Sequence, residues 1–308
     1  SGFFKSRIIY FLIFFLKINQ LKNVLKNEKP DFLIIHLITV VPLFLLIFFK
    51  FHTKFVLRIS GLPRLTFFRK LLWKIISKKI YLVTCPSQET RNDLIKQNIF
   101  LEEKLEILYD PIINIKEIHK QVKEKNNLNI NKPFFVNIGR LTRQKNQILL
   151  IKAFLKVLIK KKDLYLYIIG DGEEKKKLAK FINSNNLQNN IFLLGHMKNV
   201  YPIINNSIAL ISSSLWEDPG AVMIEASYCG KNVISSNCPN GPQEFLSHGK
   251  GGYLYKNNNK NDLVDKINIF LSEKKNIKYE KILLCKKKTK NYTLFNHYKS
   301  LNNLLDLN

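Results

Sequence analysis

The chain has 308 residues, of which 46% are hydrophobic and 24% charged, a balance that supplies a core and excludes a generically disordered polypeptide. Fifty Lys and Arg against 23 Asp and Glu give a net charge of +27, well beyond the roughly 2–8 units of a small soluble domain. A field of that sign points to an anionic partner: a phosphorylated substrate, a nucleic acid or acidic lipid. Part of the charge follows from a general preference for Lys, Asn, Ile and Phe along the chain. The four cysteines (Cys85, Cys229, Cys238, Cys285) are scattered, without a C-x-x-C pair or a His at metal-ligand spacing, and read as free thiols in a reducing compartment.

Residues 32–49, FLIIHLITVVPLFLLIFF, have the length of a membrane span. His36, Thr39 and Pro42 interrupt the run, and a buried strand followed by a short buried helix is the preferred reading. Strand and helix patterns then alternate. FVLRIS (55–60) is a strand, Leu65–Lys78 a helix, IYLVTC (80–85) a strand, and Ser87 caps a helix through Lys96. A short strand at Leu105–Leu108 precedes a polar connector over 116–132.

The alternation restarts with strand 133–139 and a helix capped by Asn146 that runs through Lys160. Strand 164–170, helix 173–182, strand 191–195, strand 208–213, helix 219–229 and strand 232–236 follow, with KNNNKND (256–262) as solvated turns and a helical tail from Tyr279. Repeated βα units in each half predict two parallel-sheet domains. The expected divisions are an amino-terminal domain 1–115, a linker 116–132, a carboxy-terminal domain 133–278 and a tail 279–308.

Several segments carry candidate chemistry. In SLWEDPGAVMIEASYCG (214–230), Asp218 is placed to cap a helix, Pro219 to occupy its first position and Gly230 to end it. Glu225 then shares a face with Val222, Ala226 and Cys229, and a carboxylate on such a face needs a partner, from the core or from a hydroxylated ligand. Glu217 lies on the loop that enters this helix. GRLTRQKN (139–146) puts Arg140 and Lys145 at the carboxyl end of a strand, where open α/β sheets bind ligands. The start of the following helix adds positive potential there. GDGEEKKKL (170–178) and CPNGPQEFL (238–246) are glycine-bearing turns with little meaning by themselves.

Their order is more informative. Gly139-Arg140-Leu141 with Lys145-Asn146, then Ile169-Gly170-Asp171-Gly172, Phe192-Leu193-Leu194-Gly195, Glu217 and Glu225 seven residues apart, and Asn240-Gly241-Pro242 with Glu244 make a series. It resembles the nucleotide-sugar-binding domain of the family-four retaining glycosyltransferases (glycosyl transferases group one). The resemblance is strong over about 133–255 and weaker over 31–111, through PDFLIIH, CPSQETRNDL and LYDPI. It implies the GT-B fold, α/β with two Rossmann-like parallel-sheet domains facing a cleft. It further implies that Arg140 and Lys145 hold the donor diphosphate, that Glu225 accepts hydrogen bonds from the ribose diol, and that Glu217 lies beside the donor sugar. Pro219 and Gly220 would touch that sugar through their backbone, and Gly172 would join the donor site. Arg140, Lys145 and Glu217 are the expected catalytic groups, with no metal and no cofactor besides the nucleotide-sugar donor. The resemblance also points to transfer onto a lipid-linked or surface-glycan acceptor in polysaccharide or lipopolysaccharide synthesis.

Three departures from the family pattern stand out. Nothing before Asp31 matches its glycine-rich first turn, and the sequence opens on Ser1, so the amino-terminal domain is expected to be incomplete. Ser60-Gly61 stands where many members carry a His, although His36 follows an earlier strand; and Asp110 replaces a common Asn before Pro111. Separately, LTFFRKLLWKIISKK (65–79) is basic and amphipathic, with Lys70, Lys74 and Lys78 opposite Phe68, Leu71, Leu72, Ile75 and Ile76. With FFKSRIIYFLIFFLK (3–17) it predicts peripheral attachment to an anionic membrane, at the cytoplasmic face of the inner membrane, with Trp73 at the bilayer. The rival readings are a non-enzymatic polyanion- or RNA-binding protein and an integral membrane protein spanning at 32–49. The first is disfavoured because the cations are not interleaved with an aromatic platform.

Overall fold

The computed structural model describes residues 16–60, 65–124 and 132–307. The chain divides into two compact units, Ser1–Leu108 and Tyr109–Asn308.

In the first unit a helix over residues 16–27 (α1) precedes β1 (Phe32–Ile35), α2 (Val40–Phe48), β2 (Lys54–Arg58), α3 (Phe67–Ile76), β3 (Leu82–Cys85), α4 (Gln88–Lys96) and β4 (Leu105–Ile107). The strands are parallel in the order β1-β2-β3-β4. The apolar run 32–49 thus divides into a strand and a helix, as its interruptions predict, because Val41, Pro42, Leu43, Leu45 and Leu46 of α2 are buried in the core. Among the described residues no helix is long and apolar enough to cross a membrane. Ser87 Oγ accepts from Thr90 N at 3.2 Å, the expected cap of α4. Trp73 differs from expectation. It is 4% exposed, its ring 5.5 Å from that of Phe100, so it belongs to the core of α3 and not to its outer face. The stretch 3–15 and Gly61 lie outside the described residues.

The second unit contains α5 (Ile115–Val122), β5 (Phe134–Ile138), α6 (Gln147–Lys160), β6 (Tyr165–Ile169), α7 (Lys175–Ser184), β7 (Ile191–Gly195), α8 (Tyr201–Asn206), β8 (Ala209–Ser212), α9 (Ala221–Tyr228), β9 (Asn232–Asn237), α10 (Pro242–Phe245), β10 (Tyr253–Lys256), α11 (Lys260–Ser272), α12 (Lys275–Lys288) and α13 (Leu294–Leu305). Its six parallel strands run β10-β9-β8-β5-β6-β7. The pleat sends alternate residues to opposite cores. Phe135, Leu166 and Ile168 join Leu150, Phe154, Leu263 and Phe270 on one side. Phe134, Val136, Tyr167 and Ile169 join Ile203, Ile224 and Phe245 on the other.

Three expectations change here. The boundary follows Leu108, and the stretch expected as a linker over 116–132 opens with α5. Asn114 caps that helix by accepting from Glu117 N at 3.2 Å, and Ile118 anchors it in the core. Its apolar stripe is so narrow that the segment reads as polar. The Asn-rich 256–262 turn is short: β10 ends at Lys256, and Asn259 caps α11 from Asp262 N at 3.0 Å. The tail expected over 279–308 is helical, as predicted, in α12 and α13, but is built into this unit. Cys285 and Tyr292 are in its core, and Ile113 pairs with Thr293.

Tyr292 is packed against Tyr109 and Phe245, with ring centroids at 4.9 and 5.9 Å. Tyr292→Ala is expected to cost about 3–5 kcal/mol of stability in chemical denaturation. An unchanged midpoint would mean that the carboxy-terminal helices are loosely attached.

Candidate functional site

The second sheet contains a topological switch. From β5 the chain winds outward through β6 and β7 to one edge, then returns to β8 beside β5 and winds through β9 and β10 to the other. Loops leaving the carboxyl ends of two strands that part in this way enclose a crevice, the usual ligand position in open parallel sheets. The two loops are GRLTRQKN after β5 and SSLWEDPG after β8.

Hydrogen bonds lace them together. Leu215 N donates to Gln144 O at 2.8 Å, Gln144 Nε2 to Trp216 O at 2.9 Å, and Ser213 Oγ to Lys145 O at 2.7 Å. Lys145 Nζ donates to Glu217 Oε1 at 2.5 Å, and Ser214 Oγ donates to the same oxygen at 2.5 Å. Glu217 is only 9% exposed. A carboxylate so placed needs such partners, because burying it alone costs several kcal/mol, of order 3–5 when one member of a buried pair is removed. Ile138, Leu210, Val222 and Met223 complete a small hollow with Lys145, Glu217 and Gly220.

The neighbouring loops explain two motifs that have little meaning in isolation. Leu141 N donates to Asp171 O at 2.8 Å and Glu174 N to Leu141 O at 2.9 Å, so the turn after β6 runs against the loop after β5. A Cβ on Gly170 (φ 143°) would lie 1.9 Å from Gly139 O, and one on Gly172 2.4 Å from Leu141 O. These glycines admit backbone against backbone. Likewise a Cβ on Gly241 (φ 114°) would lie 2.6 Å from Pro219 O, which joins the loop after β9 to the entrance of α9.

Two expected caps take another form. Gly220, at φ 90°, holds the position before α9, so Asp218 and Pro219 both lie outside the helix; Gly230 does end it, at φ 72°. Asn146 does precede α6, but in the left-handed conformation (φ 49°), and its side chain makes no cap; Nδ2 donates to Asn258 Oδ1 at 3.1 Å instead.

Of the predicted residues, Lys145 and Glu217 are in direct contact, and Gly220 lines the same hollow with Pro219 buried beside it. Arg140 is exposed on the same loop as Lys145 but is not part of that hollow. Gly172 packs on Leu141, and its N–H donates to Asp171 Oδ1 at 2.8 Å. Glu225, half-buried on α9, also lies outside the hollow; it accepts from the Tyr201 hydroxyl at 2.8 Å. The partner demanded by its apolar face is therefore a residue of α8. Burial pushes the Glu225 carboxyl above its ordinary value, opposed by the Tyr201 hydrogen bond, and burial beside Glu225 pushes the Tyr201 hydroxyl upward. Sequence reasoning misses Tyr201 and Ser214. Nothing in the spacing links α8 to α9, and the run of serines after β8 reads as strand and turn. Among the described residues no group of three His, Cys, Asp or Glu side chains is placed to hold a metal ion, and none of the four cysteines is in a disulfide.

The chain matches the glycosyl transferases group 1 family over residues 119–288, more than half its length, and belongs to that family. It is 35% identical over 245 residues to an uncharacterized glycosyltransferase of Methanocaldococcus jannaschii, covering 74% of this chain and 60% of the relative. It is 28% identical over 206 residues to the N-acetylgalactosamine-N,N'-diacetylbacillosaminyl-diphospho-undecaprenol 4-alpha-N-acetylgalactosaminyltransferase of Campylobacter jejuni, covering 67% of this chain and 55% of the relative. The chain thus spans less than two thirds of the length of these relatives. The structure of Anabaena HepE in complex with UDP superposes with a TM-score of 0.78 at 18% identity, over 94% of this chain and 82% of that one. The fold is that of the GT-B glycosyltransferases, with one parallel sheet in each unit.

The native chain holds the Glu225 proton more tightly than the unfolded chain does. Its ionisation therefore costs stability as pH rises from the ordinary carboxyl value of 4.5 through the raised one. Glu225→Gln keeps an acceptor for Tyr201 and has no proton to lose. Its stability relative to the parent is expected to climb through that window and then level off, as read by urea unfolding between about pH 4 and 8. A difference that is flat with pH would contradict the burial of the charge.

Proposed function

We propose that this chain is a retaining, metal-independent glycosyltransferase that moves a sugar from a nucleoside-diphosphate donor to a lipid-linked or surface-glycan acceptor in polysaccharide or lipopolysaccharide synthesis. UDP-sugars are the favoured donors. The observation that carries the reading is the Lys145–Glu217 pair, which joins the two loops at the switch point between β5 and β8. The Campylobacter relative, whose acceptor is linked to diphospho-undecaprenol, supports the lipid-linked acceptor, and the Anabaena complex supports UDP.

The chemistry asks for two things. As the bond from the anomeric carbon to the diphosphate breaks, negative charge grows on the departing phosphate oxygen. Arg140 and Lys145 meet it with fixed cations, beside the first turn of α6. An ammonium carries three protons, so Lys145 can donate to Glu217 and to a phosphate together. The sugar meanwhile gains oxocarbenium-like positive charge, which the Glu217 carboxylate stabilises without a covalent bond to it. The acceptor hydroxyl bonds to the anomeric carbon on the face that the diphosphate leaves and passes its proton to the departing phosphate oxygen. The backbone of Pro219 and Gly220 borders the sugar. Glu225, with one oxygen engaged by Tyr201, accepts from the ribose diol through the other. In this reading the leaving charge needs no divalent ion.

Lys145→Ala is expected to lower turnover at saturating donor by roughly 10²–10³-fold, the usual loss for one preorganised donor at a developing oxyanion. UDP and UDP-sugars should raise the melting temperature of the parent chain, and Arg140→Ala and Glu225→Ala should reduce that rise; turnover should persist in EDTA. Full turnover in Lys145→Ala, or stabilisation indifferent to all three substitutions, would remove the assignment. A non-enzymatic polyanion binder would instead be stabilised alike by RNA and by UDP, and would hydrolyse no nucleotide-sugar.

A further inference from the structure

We propose that the outer face of α3 is a docking surface for an anionic lipid bilayer, entered by Phe67, Phe68, Leu71 and Ile75. This rests on the first unit alone and is independent of the donor site in the second. Residues 67 and 68 are 76% and 79% exposed, and Leu71 and Ile75 about half exposed. They follow one another at helical spacing, so they form one apolar ridge. Trp73 and Ile76 face the other way and hold the helix to its core.

The charge around the ridge selects the partner. From Leu65 to Gln88 the chain has no Asp or Glu, while Arg69, Lys70, Lys74, Lys78 and Lys79 all carry positive charge. Lys74 and Lys78 are exposed, and Lys70, also exposed, donates to the neutral Gln97 Oε1 at 2.6 Å and so keeps its charge. Lys104 Nζ donates to Ser77, Lys78 and Ile80 carbonyls at 2.8–3.1 Å, which closes the carboxyl end of the helix and leaves these lysines free of that task. A second copy of this surface would bring like charges together across a symmetric contact. A nucleic acid would satisfy the lysines and could stack a base on Phe67 or Phe68, yet it offers no apolar phase for the aliphatic side chains of Leu71 and Ile75. A leaflet of acidic lipid answers both parts, with head groups for the cations and acyl boundary for the ridge.

Sedimentation with vesicles tests this on the full chain. The parent is expected to sediment with phosphatidylcholine vesicles that contain phosphatidylglycerol and to stay in solution with phosphatidylcholine alone. Lys74→Glu/Lys78→Glu should weaken binding by at least about tenfold, given roughly fivefold per cation near an acidic surface. Phe67→Ser/Phe68→Ser should weaken it comparably with no change in net charge. Both pairs are exposed, so the far-UV circular dichroism and melting temperature should match the parent. Lys287→Glu/Lys290→Glu, on exposed positions of the second unit, removes as much charge and should bind normally. Equal binding to neutral vesicles, equal loss in the Lys287/Lys290 variant, or a serine variant that binds like the parent would overturn the proposal. So would a ridge that instead drives dimerisation in sedimentation velocity or retains only RNA.

Discussion

Lys145 and Glu217 are 72 residues apart in the sequence, on loops that leave different strands, and one hydrogen-bonded ion pair joins them. That contact depends on the architecture of the second unit. Two parallel strands must lie side by side while the chain winds away from them in opposite directions, which is what the order β10-β9-β8-β5-β6-β7 provides. Ile138, Leu210, Val222 and Met223 wall the hollow beside the pair, so removing either member would leave its partner's largely buried charge without its nearest opposite charge. Ser214 gives the carboxylate a second donor, and one backbone hydrogen bond and two from side chains to backbone, all between residues 144–145 and 213–216, hold both loops in place. A charge pair held this rigidly loses little in reorganisation when the charge on a neighbouring ligand changes, the property wanted where a leaving group becomes an anion.

Much of this framework is legible in the sequence because parallel strands buried on both faces leave continuous apolar runs. PFFVNIG, LYLYIIG and IFLLG mark β5, β6 and β7 almost to the residue. Local chemistry also reads well where it is satisfied locally, as with Ser87 before α4 and Gly230 after α9. Features decided by distant backbone do not. Asp218 has the right side chain for a cap, yet the chain turns at Gly220, whose neighbour Pro219 lies against Gly241. Asn146 gives its side chain to Asn258 across the unit, a partner more than a hundred residues away. Gly170 and Gly172 resemble an ordinary turn until the loop from β5 is seen running beneath them.

The same limit applies to the candidate site. Lys145, Glu217 and Glu225 stand out by residue type and position, and the loops and helix that bear them are where the pattern puts them. The direct pairing of Lys145 with Glu217, and of Glu225 with Tyr201, depends on which helices and loops become neighbours, a tertiary fact with no spacing signature. Burial misleads in α3 too. Trp73 is the residue type most at home at a membrane boundary, but a helix that must bury one face puts its largest ring in the core and leaves the phenylalanines outside.

The most direct test of the central claim is a crystal structure of this chain with UDP. The β-phosphate is expected within hydrogen-bonding reach of Lys145 Nζ and of the Arg140 guanidinium at the start of α6, with the ribose hydroxyls on Glu225. A diphosphate bound on another face of the sheet, with Lys145 and Glu217 still paired and remote from it, would contradict the account.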